Sequence, residues 1–258
     1  MEDLTNKTVL ITGASSGIGY ATAKLFAQYR VKLILTGRRI NKIKELSKYL
    51  KQQYNINIIT YKLDVCDQNQ VTNFINNLSE DFQKIDILIN NAGLALGSEP
   101  IQNGSIENWE TMIDTNIKGL LYLTRAILPK MINNGGGHIV NLGSSAGRLV
   151  YPGGNVYCAT KYAVKAISQA IRHDTLGKNI RVTEIAPAAV QTEFSEVRWK
   201  DKQKADEFYA KFKPLQAEDI ADNILYAVTR PKHVNIAEMV ISSVDQVGTA
   251  FNLTAQRD

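Results

Sequence analysis

Seven short apolar runs, separated by stretches long enough to hold a helix, constrain this chain more than any other feature. They are TVLI at 8–11, KLILT at 32–36, NIITYKL at 57–63, IDILIN at 85–90, HIVNL at 138–142, RVTEIA at 181–186 and EMVIS at 238–242. The first, fourth and fifth are almost continuously apolar, as strands buried on both faces must be. Strand and helix alternating with right-handed crossovers predict an α/β fold, a doubly wound parallel sheet of seven strands with helices on both faces. No linker, repeat or low-complexity block breaks the pattern, so residues 1–258 are expected to form a single domain. Apolar residues at 44% and charged residues at 21% supply one large core and exclude disordered and fibrous classes.

Four stretches modulate the rhythm. Residues 106–132 carry Trp109, Met112, Ile113, Ile117, Leu120, Leu121, Tyr122 and Leu128 at mixed three and four spacings, which predicts one long buried helix. Asn133 and Asn134 followed by Gly135, Gly136 and Gly137 predict a turn that ends it. Residues 143–155 are irregular and glycine-rich, and residues 188–214 are longer than a connection needs unless they cover something. Within the latter, Ala205, Phe208, Tyr209 and Phe212 have the spacing of an amphipathic helix with a solvated, lysine-rich outer face. Ligands bind outside the carboxyl ends of strands in open α/β sheets, so chemistry is expected at 143–155 and 188–214.

Cys66 and Cys158 are far apart with no CxxC spacing, and His138, His173 and His233 form no HExxH or i,i+4 pair. No metal and no disulfide framework are expected, and the cysteine usage suits a reducing, cytoplasmic compartment. No apolar run reaches the length of a membrane span. Thirty Lys and Arg against 25 Asp and Glu leave +5, a mild excess that fits a small anionic ligand as well as nucleic acid, so charge alone decides nothing; no nucleic acid or membrane partner is expected.

Directly after the first run comes Thr12-Gly13-Ala14-Ser15-Ser16-Gly17-Ile18-Gly19. Glycines at that spacing between a strand and a helix permit a tight turn whose free N–H groups face a pyrophosphate. The second run ends in Thr36-Gly37-Arg38-Arg39, where a fold that prefers the unphosphorylated dinucleotide often places a carboxylate. Gly37 removes that charge and Arg38 offers a planar donor fork to a 2′-phosphate, so NADP is expected rather than NAD. A Tyr-x3-Lys pair sets an ammonium beside a phenol on one helix face. It occurs at Tyr20/Lys24, Tyr157/Lys161 and Tyr209/Lys213, but only Tyr157/Lys161 follows the glycine-rich break and has a serine, Ser144, upstream of it there.

These residues, with Asp64-Val65, Asn90-Asn91-Ala92-Gly93, Asn116, the run from Gly143 to Gly147, Pro187 and Thr192, resemble the short-chain dehydrogenase/reductase family over essentially the whole chain. Within it, Leu94 to Gly97, Gly153 to Tyr157, and Thr192-Glu193-Phe194-Ser195 with Arg198 are similar to NADP-dependent 3-hydroxy acid dehydrogenases, some of which act on serine or allo-threonine. The resemblance implies a Rossmann fold in which Tyr157 is the general acid/base, Lys161 lowers its pKa and holds the nicotinamide ribose, Ser144 polarises the substrate oxygen and Asn116 anchors a relay water. It further implies cofactor contacts from Gly13, Ser15, Ser16, Gly17, Ile18, Gly19, Arg38, Arg39, Asp64, Val65, Asn91, Ala92, Gly93, Tyr157, Lys161, Pro187, Val190 and Thr192. A homotetramer built on the helix from Ile106 and the helix of Tyr157 is implied as well.

A 3-hydroxy acid brings a carboxylate, for which an arginine fork is the natural partner. Arg198 in the 188–214 segment is the first candidate and Arg148, near Ser144, the second. Two alternatives stand beside this reading: a reductase of another carbonyl, such as a diketone, sugar, acyl thioester or steroid, and an NADPH-binding sensor or scaffold without turnover. One departure from the family is Ala188, where glycine usually follows the proline, which leaves the backbone there less free.

Overall fold

The computed structural model describes residues 2–247 and 250–251; the ends of the expected domain, residues 1 and 258, lie outside them. Strand β1 (Thr8–Thr12) leads into α1 (Gly17–Ala27), followed by β2 (Lys32–Gly37), α2 (Ile40–Tyr54), β3 (Ile58–Lys62), α3 (Gln68–Asn76) and β4 (Ile87–Asn90). The second half runs through α4 (Ile106–Ile113), α5 (Leu120–Asn133), β5 (Gly137–Leu142), α6 (Asn155–Asp174) and β6 (Ile180–Pro187). After β6 come β7 (Val190–Gln191), α7 (Phe194–Trp199), α8 (Lys202–Tyr209), β8 (Leu215–Gln216), α9 (Ala217–Val228) and β9 (Glu238–Ile241). Seven of these strands form one sheet in the order β3-β2-β1-β4-β5-β6-β9, with every pair parallel. Each of the seven expected runs is one of them.

The sheet is buried on both faces, as near-continuous apolar strands require. Val9, Ile11, Leu33 and Leu35 point to one side, where they pack with Phe26 of α1, Ile43 of α2 and Ile220 and Ile224 of α9. Leu10, Ile34, Leu88 and Ile139 point to the other, against Phe74 of α3, Leu123 and Ile127 of α5 and Ile171 of α6. Truncating one of these fully buried leucines to alanine costs about 2–5 kcal/mol, a large share of a typical domain's stability.

Helix starts are chemically marked where the sequence marks them. The Asp67 side chain accepts from the amides of Asn69 and Gln70 at α3, Ser105 caps α4 and Asp201 caps α8. The start of α1, like those of α2 and α6, has no side-chain cap and no acidic residue in its first turn, and it alone of the three directly follows the glycine-spaced loop. Its amides and positive dipole end are therefore left for an anion.

Two expectations are corrected. The 106–132 segment is not one regular helix, because residues Asp114–Gly119 form a π-helical turn between α4 and α5. That wider turn carries Asn116. The amphipathic pattern from Ala205 outlasts its helix: α8 ends at Tyr209, yet Phe212 beyond it is fully buried. Burial of the aromatic does not require helical backbone there. Ala188 sits without a positive φ and donates its N–H to Ile241 O at 2.8 Å, so the missing glycine costs the backbone nothing. Among the described residues no helix is long and apolar enough to cross a membrane.

Candidate active site

Strand order reverses between β1 and β4, and a crevice opens beyond their carboxyl ends. A cavity of about 720 Å3 occupies it, within the range of small-molecule sites. It runs from Gly13, Arg38 and Asp64 at one end, past Ser144, Tyr157 and Lys161, to Arg198 and Trp199 in the segment after β6.

The glycine-spaced loop forms one end. Gly13 has φ +65°, where a side chain would be strained, and an added Cβ would lie 2.9 Å from Asn91 Nδ2. Asn91 shapes this loop: its amide nitrogen donates to Thr12 O at 2.8 Å and Gly13 O at 3.3 Å. The Thr12 hydroxyl in turn accepts from the amides of Asn91 and Ala92 at 3.0 and 2.9 Å, tying the ends of β1 and β4 together. Gly19 does not line the cavity; a Cβ there would meet Gly13 O at 2.6 Å, so its lack of a side chain lets α1 approach the loop.

The two arginines after β2 behave differently. Arg39 is bound to Ser15 Oγ at 3.2 Å, to Ser16 Oγ at 2.6 Å and to Glu193 at 2.6 Å. Arg38 lines the same end, is exposed, and makes no hydrogen bond or ion pair to the described residues. Open amides at α1, a side-chain-free cradle at Gly13 and an unpaired guanidinium fit a dinucleotide with an additional phosphate.

At the centre, α6 brings Tyr157 and Lys161 onto one buried face. Lys161 Nζ lies 5.8 Å from the Tyr157 ring centroid and donates to Leu142 O at 2.8 Å. Burial pushes the Tyr157 phenol well up from its ordinary value, with neighbouring Tyr151 adding to the rise, while the Ser144 hydrogen bond and the Arg198 charge oppose it. Burial likewise brings the Lys161 ammonium down to about 8, against the buried Glu184 carboxylate, which holds it up. Ser144 begins the irregular stretch after β5; its hydroxyl accepts from the Ala146 amide at 3.1 Å and donates to Pro187 O at 3.3 Å.

Asn116 stands just behind. Its Oδ1 accepts from Leu94 N at 2.9 Å, and its Nδ2 donates to Leu94 O at 2.8 Å and Thr160 Oγ1 at 3.0 Å. A Cβ on Gly93 would lie 3.2 Å from Asn116 Oδ1 and 3.6 Å from Lys161 Nζ, so the glycine keeps the space between these two groups open. Val65, Ala92, Gly93, Pro187, Val190 and Thr192 all line the cavity, as expected.

Of the two carboxylate-clamp candidates, only Arg198 reaches the cavity. The expectation for Arg148 is corrected: its terminal nitrogens bind Glu184 at 2.5 and 2.7 Å and Glu238 at 3.0 Å, and it is absent from the lining. Glu184 is fully buried and would be an uncompensated charge without it, which fixes the arginine behind β6. Sequence reasoning missed this carboxylate, which reads as one polar residue in an apolar strand. It also missed Tyr151 and Trp199, each of which adjoins a motif without belonging to it, and it gave Glu193 no role within its motif.

The short chain dehydrogenase family matches residues 7–203. A Schizosaccharomyces pombe protein named NADP-dependent 3-hydroxy acid dehydrogenase is 46% identical over 250 residues, covering 96% of each chain. Sulfoacetaldehyde reductase 2 of Chromohalobacter salexigens is 46% identical over 245 residues, 94% of this chain and 96% of that one. A closed form of serine dehydrogenase complexed with NADP+ superposes with a TM-score of 0.90 at 43% identity, covering 96% of this chain and all of the other.

Proposed function

The chain belongs to the short-chain dehydrogenase family, and from that premise we propose that it is an NADP-dependent oxidoreductase acting on a small 3-hydroxy acid, such as serine or allo-threonine, or on its oxo form. One observation carries the reading: Ser144, Tyr157 and Lys161 share a single cavity with two arginines that form no ion pair among the described residues, Arg38 by the glycine loop and Arg198 in the segment after β6. Bound NADP supplies the nicotinamide that gives or takes the hydride at the carbinol carbon.

Tyr157, held protonated by burial, gives its phenolic proton to the substrate oxygen in reduction and takes it back in oxidation. The Lys161 ammonium, charged below about pH 8, stabilises the phenolate and keeps two N–H donors beyond its bond to Leu142 for a ribose hydroxyl. Ser144 hydrogen-bonds the substrate oxygen beside Tyr157. The lone pair left on Asn116 Oδ1, facing Lys161 across Gly93, holds a relay water.

The whole chain acts as one domain whose 188–214 segment covers the substrate; Val190, Phe194, Arg198 and Phe208 of that segment line the cavity. A homotetramer is supported by exposed Ile106, Ile113 and Leu121 along α4 and α5 and by exposed Tyr162 on α6. Cytoplasmic residence suits the two unpaired cysteines.

The test is a panel of short 3-hydroxy acids, their semialdehydes, diketones and sugars, assayed with both nicotinamide cofactors. The acids with NADP should give the highest kcat/KM. A higher value for uncharged carbonyls would move the chain to another reductase of the family, and no turnover of any compound would leave a binding protein.

A further inference from the structure

Arg198 forms no ion pair among the described residues. Its Nε donates to Gly97 O at 3.0 Å and its terminal nitrogens to the Tyr151 hydroxyl at 2.7 Å and Gly153 O at 3.2 Å, all neutral acceptors. Three of the five N–H donors are therefore spent, and the side chain is pinned to the loop before α6 rather than free to close as a fork on a ligand. The Arg198 guanidinium lies 5.9 Å from the Tyr157 ring centroid, and the Lys161 ammonium lies 5.8 Å from it.

Two donors beside it have no acceptor. The Tyr151 oxygen accepts from Arg198, which leaves its own O–H without a partner among the described residues. Burial raises the Tyr151 pKa, so this hydroxyl stays neutral and keeps its proton. Trp199 Nε1 is buried with no hydrogen-bond partner among the described residues, and the Arg198 guanidinium lies 5.3 Å from the Tyr151 ring and 5.9 Å from the Trp199 ring. Both side chains line the cavity that holds Tyr157. A buried N–H and a part-buried O–H left unpaired beside a cation that has no carboxylate partner match one ligand chemistry, a singly charged oxyanion.

We propose that the Tyr151 hydroxyl and the Trp199 indole N–H bind the carboxylate or sulfonate of the substrate, with Arg198 supplying the charge behind them instead of a two-pronged clamp. The proposal rests on the reading of the chain as a hydroxy acid dehydrogenase and names the residues that set its preference. Arg198 orients the Tyr151 oxygen by donating to it, which turns the phenolic proton toward the ligand. A site whose donors are satisfied only by an anion discriminates against the neutral analogue, because that analogue leaves them unpaired.

The experiment compares kcat/KM for 3-hydroxypropionate and its methyl ester in the wild type, Tyr151→Phe and Trp199→Phe, all with NADP. Either variant should lower the acid-to-ester ratio by about tenfold or more, the loss of one hydrogen bond to a charged group, chiefly through KM of the acid. Propionate, an unreactive acid, titrated against the holoenzymes should show the same ordering of dissociation constants. Repeating the comparison with 2-hydroxyethanesulfonate tells which anion the corner prefers, and a fall in either anion's ratio supports the proposal. A ratio unmoved for both anions in Tyr151→Phe or in Trp199→Phe overturns it, as does an equal loss for acid and ester, which would mark a structural role. A wild type with no preference for the acid over the ester would instead defeat the underlying functional reading.

Discussion

Glu193, next to Thr192 in the segment after β6, holds Arg39 at 2.6 Å and Lys42 at 3.1 Å. Through Arg39 the same carboxylate is linked to Ser15 and Ser16 of the glycine loop, so one exposed ion-pair cluster ties the segment after β6 to that loop. Arg39 is therefore engaged with the loop, whereas Arg38 lines the cavity without a partner among the described residues, and we propose it for the 2′-phosphate. Arg38→Ala should weaken NADPH binding by about 10- to 150-fold, the worth of a charge-assisted pair, and leave NADH binding nearly unchanged. Arg39→Ala should weaken both. Dissociation constants of the two variants for both nucleotides check this, and the reverse pattern would assign the phosphate to Arg39.

Lys161 makes apo-enzyme stability depend on pH in a definite direction. Its folded-state pKa of about 8 lies below the ordinary 10.5, so the cost of burying the charge is fully present below pH 8 and disappears as pH rises toward 10.5. In that window the unfolded chain binds more protons than the folded one, and stability rises with pH. Lys161→Met removes about 3 kcal/mol of that cost at pH 7 and loses about 1 kcal/mol with the hydrogen bond to Leu142. It should be more stable than wild type at pH 7, by an amount that shrinks by about 2 kcal/mol at pH 9.5. Urea unfolding at the two pH values measures it, and a difference independent of pH would contradict the buried charge.

Arg148→Met should unfold the protein more easily by about 3–5 kcal/mol, because it strands the fully buried Glu184 carboxylate. Replacing both partners, Arg148→Met with Glu184→Leu, should recover much of that loss. Neither change should alter the acid-to-ester preference, since Arg148 does not line the cavity. A collapse of that preference in Arg148→Met would return it to the substrate site.

The sheet was legible because its signal is local: β-branched runs of the right length, separated by helical stretches, leave few other topologies. The glycine loop and the Tyr157/Lys161 pair were legible because position relative to a strand end selects among repeats that are individually meaningless; Tyr20/Lys24 and Tyr209/Lys213 share the spacing and fail on position. The π-helical turn at Asn116 was not, because a wide turn changes spacing by only one residue within an already mixed pattern. Nor were the partners of Arg148 and Arg198. An arginine reads alike whether it meets a carboxylate 36 residues away, as Arg148 meets Glu184, or a carbonyl 101 residues away, as Arg198 meets Gly97. Those pairings are set by tertiary contact alone.

The most direct test of the account is the turnover of a 3-hydroxy acid with NADP+ by Tyr157→Phe, measured beside its NADPH dissociation constant. Removing the hydroxyl deletes the proton donor and acceptor while keeping the buried ring. Turnover should fall by at least about 100-fold with NADPH affinity nearly unchanged. A variant that retains wild-type turnover would contradict the assignment of Tyr157 as the acid/base, and with it the chemistry assigned to this cavity.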